Sequence, residues 1–389
     1  MPAITLNKPV LALQTISASI SFTYYQETRR GLIRTRGNQE FTMSHFTQLK
    51  LTGAVLGLSL ALGSGLIQAQ DAGRPDLTGI WTNASLTGLT RPQGVEELVV
   101  SAEAAQQIAD NTSIAGIAPG DFDESAPENS DTGAPPVGSI DFGLRGYNSF
   151  WTDPGSSLAL VKGEFRTSYI IDPPNGRIPR LETPKVVFED RNFGYRYLTG
   201  IGGNEGPEAL PLAERCLIGF GNTAGPGMMG TLYNSTYQFV QTDDYVLIDV
   251  EMVHDARIIP TFGSAEEARA NRRPSVIKPW LGDAVGWYED GTLVVETVNI
   301  NPAQMEQSSV PITDDGRITE RFTKYSDTEI VYSFTVEDSN LYVQPWTAEL
   351  SFHATEGPVY EYACHEGNYA MPGILAGARR LEAEEAAAQ

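Results

Sequence analysis

Three histidines follow residue 69 in this chain, His254, His353 and His365, and imidazole is the side chain best suited to moving protons near neutral pH. His254 is followed by Asp255, and His365 lies between Glu361 and Glu366. A carboxylate beside an imidazole sets its tautomer or shares its proton, so His254, Asp255, His365, Glu366 and Glu361 could act as acid and base on a small organic substrate. The same two histidines, His254 and His365, together with a carboxylate could instead hold a divalent metal. Against both stands the plain alternative of a core histidine bonded to a carbonyl.

Strand alternation predicts where these side chains point. From residue 245 onward Val246, Ile248, Val250, Met252 and His254 share one apolar face, which turns His254 inward. Over 346–353 the inward set is Trp346, Ala348, Leu350 and Phe352, which leaves His353 on the surface. A strand over 359–363 would put Glu361 and His365 on one face and Tyr360, Tyr362 and Cys364 on the other. An inward Glu361 and His365 would then form an acid/base pair, and His254 and His365 are expected to face one cavity.

The elements around them read as short strands joined by tight turns, in keeping with 38 glycines and 24 prolines. A strand opens at 76–81, a helix covers 100–109, and 166–171 runs into the turn at 172–176. Residues 236–240 and 245–254 flank the turn at 242–244, and 286–288 and 292–298 flank the turn at 289–291. Further strands follow at 318–325, 329–336 and 346–353, and a helix over 372–388 closes the chain. The fold class expected is mainly β: a single large antiparallel β-barrel or curved-sheet domain with a C-terminal helix. Such barrels have a mouth that is a natural ligand site.

The address is read from the N-terminal region. Residues 43–69 combine a short segment ending in Lys50, an uncharged apolar run over 51–67 and small residues up to Ala69, the layout of a signal peptide. Residues 1–42 read as an over-extended start without structure, and 70–389 as one β-rich domain carrying an acidic loop at 111–140. Periplasmic or secreted localisation follows, with no stable membrane span after processing. In that compartment Cys216 and Cys364 are expected to pair. The whole chain has a net charge of -22, and removing 1–69 takes away six cations and two anions, leaving -26. Phosphate backbones would be repelled, so no nucleic-acid partner is expected.

Other motifs fall away on context. Gly225, Gly227 and Gly230 have dinucleotide-loop spacing but no strand, turn and helix around them, so no nucleotide cofactor is expected. His365 has no second histidine four residues on. The cluster Asp121, Asp123, Glu124, Glu128 and Asp131 fails the calcium-loop pattern and reads as a solvated loop.

Six segments carry a resemblance: RTSYIIDPPNGRIP at 166–179, HDARIIP at 254–260, GTLVVET at 291–297, ERFT at 320–323, PWTAE at 345–349 and YEYACHEGNY at 360–369. They resemble a family of secreted bacterial proteins that has no assigned activity, over about residues 75–380. The resemblance implies export and a β-rich fold, with counterparts of Cys216, His254, Asp255, Cys364, His365 and Glu366, and it brings no reaction with it. A looser likeness is to calycin barrels, which begin with Gly-x-Trp, here Gly79 and Trp81, and end with a helix. Two functions remain open on these grounds. One is an acid/base lyase, isomerase or hydrolase, with or without a metal. The other is a non-catalytic periplasmic carrier of a small apolar or aromatic ligand.

Overall fold

Apolar β-forming runs, broken by turn chemistry, build a wall of strands. In the computed structural model these are β1 (Gly79–Thr82), β2 (Val99–Val100), β3 (Leu160–Val161), β4 (Glu164–Arg166), β5 (Ile170–Asp172), β6 (Thr236–Gln241) and β7 (Tyr245–Val250). They continue with β8 (Asp255–Phe262), β9 (Asp283–Glu289), β10 (Thr292–Val298), β11 (Arg317–Ser326), β12 (Glu329–Glu337) and β13 (Trp346–Ala354). The helices are α1 (Ala102–Asp110), α2 (Ala265–Ala270), α3 (Pro302–Met305) and α4 (Ala370–Ala388). The structure describes residues 27–28, 31–32, 73–111, 153–188, 205–366 and 369–388. The leader at 43–69 and the acidic stretch 111–140 beyond Asn111 lie outside them. Within 1–42 the described residues are a short ladder of Glu27–Thr28 with Gly31–Leu32.

Strands β6 to β13 pair in chain order, and β1 lies between β6 and β13, so nine strands close a barrel. Neighbours are antiparallel except β8 and β9, where Thr261 stands opposite Gly286 in parallel register. A parallel pair needs a crossover, and α2 with the segment after it supplies one. Two expected hairpins form for local reasons. The β6–β7 turn is held by the Tyr245 N–H on Thr242 Oγ1 at 3.0 Å. In the β9–β10 turn Asp290 and Gly291 both take positive φ, 46° and 75°, the hand that suits a two-residue hairpin.

The barrel interior is filled by side chains. Trp81, Tyr237, Phe239, Phe322, Tyr332, Phe334 and Phe352 are all fully buried, and the Tyr237 and Phe322 rings lie 4.9 Å from Phe352 and 4.8 Å from Tyr332. Outside the wall, α2 sets Ala268 on Val285, Trp287 and Val294, which is why β10 is buried on both faces. The Ser101 hydroxyl caps α1 through the Ala104 N–H. Helix α4 has Pro372 in its first turn and is largely exposed, Leu381 by 62%. Among the described residues no helix is long and apolar enough to cross a membrane.

Two expected strands differ. Residues 166–171 split: β4 joins β2 and β3 in a three-stranded sheet, whereas β5 pairs with β13. Residues 359–363 form no strand: they are mostly exposed and pair with no described strand; a disulfide holds this stretch instead.

Candidate functional site

The segment between β7 and β8 determines where His254 stands. Strand β7 keeps its apolar face through Val250, and Met252 is still buried. The chain then turns through Val253 and His254, both at positive φ, 61° and 53°, so that Asp255 can pair back with Val250. This break in alternation carries His254 out to an exposed position, contrary to the inward register expected of it. The next residue, Asp255, takes the inward place instead and is 8% exposed.

His254 Nε2 accepts a hydrogen bond from the Tyr362 N–H at 3.0 Å, and the two rings meet edge to face. In the neutral ring that bond puts the proton on Nδ1. Asp255 Oδ2 accepts the Gly219 N–H at 2.7 Å. Burial pushes the Asp255 carboxyl up to about 6, against the opposing pull of the Gly219 bond and of His254. Asp249 is also raised by burial, with His254 again pulling it down.

Cys216 and Cys364 are bridged, with Cα atoms 5.8 Å apart. The bridge holds the segment of Tyr362 and Cys364 beside the chain leading to Gly219, and so beside His254 and Asp255. His365, Glu366 and Glu361 ride on that segment but are exposed, without the shared inward face that a strand would have given Glu361 and His365. Among the described residues no three His, Cys, Asp or Glu side chains come together as a metal-holding group. His353, expected on the surface, is half-buried and bonds Leu160 O through Nε2 at 2.9 Å.

Sequence reading missed the polar centre of the barrel. Arg257, two places along β8 from Asp255, makes a two-pronged ion pair with Glu320, its Nη1 lying 2.8 Å from Oε1 and its Nη2 bonding Oε2. Tyr332 donates to Glu320 Oε1 at 2.6 Å, and all three side chains are buried. Above them passes the loop 216–230. Its Met228 N–H donates to the Tyr332 hydroxyl at 2.8 Å and its Gly227 N–H to Glu320 at 3.3 Å. The glycines set aside as a cofactor motif thus let backbone approach protein carboxylate and phenol. Gly225 and Gly227 have φ of 77° and 75°, and a Cβ on Gly227 would stand 3.2 Å from the Phe334 ring. The alternation of β8 carried a signal, since Asp255 and Arg257 share the inward face with Ile259.

Two cavities among the described residues bear on these groups. One, of about 90 Å3, lies against the loop and α3 and is lined by Leu212, Gly219, Asn222, Gly225, Gln304 and Gln307 among others. Its wall includes Gly219, the residue that holds Asp255. The other, of about 380 Å3, includes Ser85, Tyr169, Leu350, Ser351 and His353. Neither His254 nor His365 lines either one, so the expected common cavity is not among them. Compared with protein families, curated proteins and solved structures, the chain matches none.

Proposed function

We propose that this chain is an exported enzyme that moves a proton on a small organic substrate, with Asp255 as its acid and base. The carrying observation is the Asp255 carboxyl: buried at one end of a barrel, held through Oδ2 by the Gly219 backbone, next to His254, and raised to about 6. A group that titrates there is populated in both protonation states near neutral pH, which is what general acid–base work requires. His254, adjacent in the chain and with its neutral-ring proton on Nδ1, is the proton donor to this end of the barrel. The disulfide keeps the His365 and Glu366 segment near, on the solvent side. The small cavity is walled by Gly219, the residue bonded to this carboxyl, and a lyase, isomerase or hydrolase step suits these groups.

The carrier alternative needs a hollow lumen, and the packed aromatic interior counts against it. The metal-assisted version lacks a three-ligand group among the described residues. Export is supported by the apolar run at 51–67 and by the disulfide.

The test uses two panels on the mature chain: chromogenic esters and glycosides for hydrolysis, and carbon acids in deuterated water for proton exchange. Asp255→Asn should lower any activity found by about 100-fold or more, and the wild-type profile should bend near pH 6. An activity that survives this substitution, with no inflection there, refutes the proposal.

A further inference from the structure

The larger cavity sits where the barrel wall is incompletely stitched. Strand β13 pairs with β5 at Thr347 and Ala348 and with β1 at His353 and Ala354. Between them, at Leu350–Phe352, neither register continues. Along β13 the Glu349 N–H points to the β5 side, where it bonds Tyr169 O at 2.8 Å. Strand alternation turns the backbone of Ser351 to that same side, into the gap. An edge peptide thus faces the cavity with no ladder partner among the described residues.

The lining gives the chemistry. Hydroxyls come from Ser85, Ser156, Ser157, Tyr169 and Ser351, and a floor of Leu158, Leu160 and Leu350 is apolar. Ser85 and Tyr169 share a hydrogen bond of 2.6 Å, and burial raises the Tyr169 phenol to about 12, so it stays neutral. Ser351 donates to Glu329 Oε1 at 2.7 Å, which leaves the serine oxygen as an acceptor. Among the described residues no lysine or arginine lines the cavity, Asp153 does, and the chain is strongly acidic, so an anion would find repulsion there. The volume of about 380 Å3 falls in the range of small-molecule sites.

We infer that this seam is a binding site for an uncharged, hydroxyl-rich molecule of about monosaccharide size. One apolar ring face lies on the leucines while its hydroxyls meet the serines, the tyrosine and the strand edge at Ser351. The site is separate from Asp255 and does not depend on the proposed reaction.

The experiment is methyl NMR of the mature protein with Leu158, Leu160 and Leu350 as reporters. D-glucose, D-mannose and D-xylose are the neutral probes, and D-glucuronate is the anionic one. At least one neutral sugar should shift these methyls, and glucuronate should bind at least tenfold more weakly. Ser156 is exposed at the cavity, so Ser156→Trp should fill it and abolish the shifts while leaving the denaturation midpoint unchanged. Ser85→Ala, which removes the partner of Tyr169 without adding bulk, should weaken binding. Asp255→Asn should leave it unaltered. The inference is overturned if no neutral sugar moves the reporters, if glucuronate binds equally well, or if a folded Ser156→Trp protein still binds.

Discussion

Replacing Asp255 by Asn should make the protein more stable at neutral pH. The folded carboxyl titrates at about 6, against an ordinary 3.8. Between those values the folded state holds more protons than the unfolded state, so stability falls as pH rises through this window and levels off above it. A shift of about two units corresponds to roughly 3 kcal/mol. Asn keeps an oxygen for the Gly219 N–H and carries no charge, but its amide donors must find partners, which leaves a net gain of about 1–3 kcal/mol at about pH 7.5. Urea unfolding of both proteins from about pH 4 to about pH 7.5 measures this directly: wild type should lose stability across the window, and the variant should show a flatter profile. Equal slopes, or a variant less stable at the upper pH, would refute the claim that burial raises this carboxyl. A group whose removal stabilises the fold while destroying activity is the pattern of a functional residue.

Glu320→Ala leaves the Arg257 guanidinium buried without its partner and should cost about 3–5 kcal/mol in the same assay; an effect near zero would mean that the pair is wetter than its burial implies. Changing both Cys216 and Cys364 to Ser should cost up to about 5 kcal/mol, given a bridge spanning 148 positions, and thiol labelling of the unreduced, unfolded wild type should find no free thiol. Gly291→Ala meets no neighbour within 4 Å and should lose only about 1–2 kcal/mol for its positive φ. Gly227→Ala, with the same φ but with Phe334 in the way, should lose more, and equal losses would refute the close approach of the loop.

What could be read from the sequence was local. Turns at 242–244 and 289–291 carry their own chemistry, and the alternation of Trp346, Ala348, Leu350 and Phe352 gave the right face of β13. Alternation does not reach His254, because the strand breaks at Val253 and His254. Nothing in Val253 or His254 announces positive φ, a conformation that β-branched residues seldom take. Alternation misled again at Glu361 and His365, where tyrosines in alternation suggested a strand but the stretch pairs with no strand among the described residues. The Arg257–Glu320 pair joins positions 63 apart, a separation over which residue type alone says nothing about contact. His353 was assigned outward correctly for the barrel, but the three-stranded sheet that covers it was invisible, since β2 is far from β3 and β4 in the chain.

The disulfide has a mechanical consequence. Positions 216 and 364 embrace β6 to β13, so eight staves of the barrel belong to one covalent hoop, and the ninth, β1, lies outside it. A protease cut in the exposed stretch between α2 and β9 would leave two pieces joined until a reductant is added. A cut between β1 and Cys216 would leave the four-residue stave Gly79–Thr82 with no covalent hold on the rest of the wall. The seam beside β1, where the larger cavity lies, is thus the part of the wall that the hoop does not enclose.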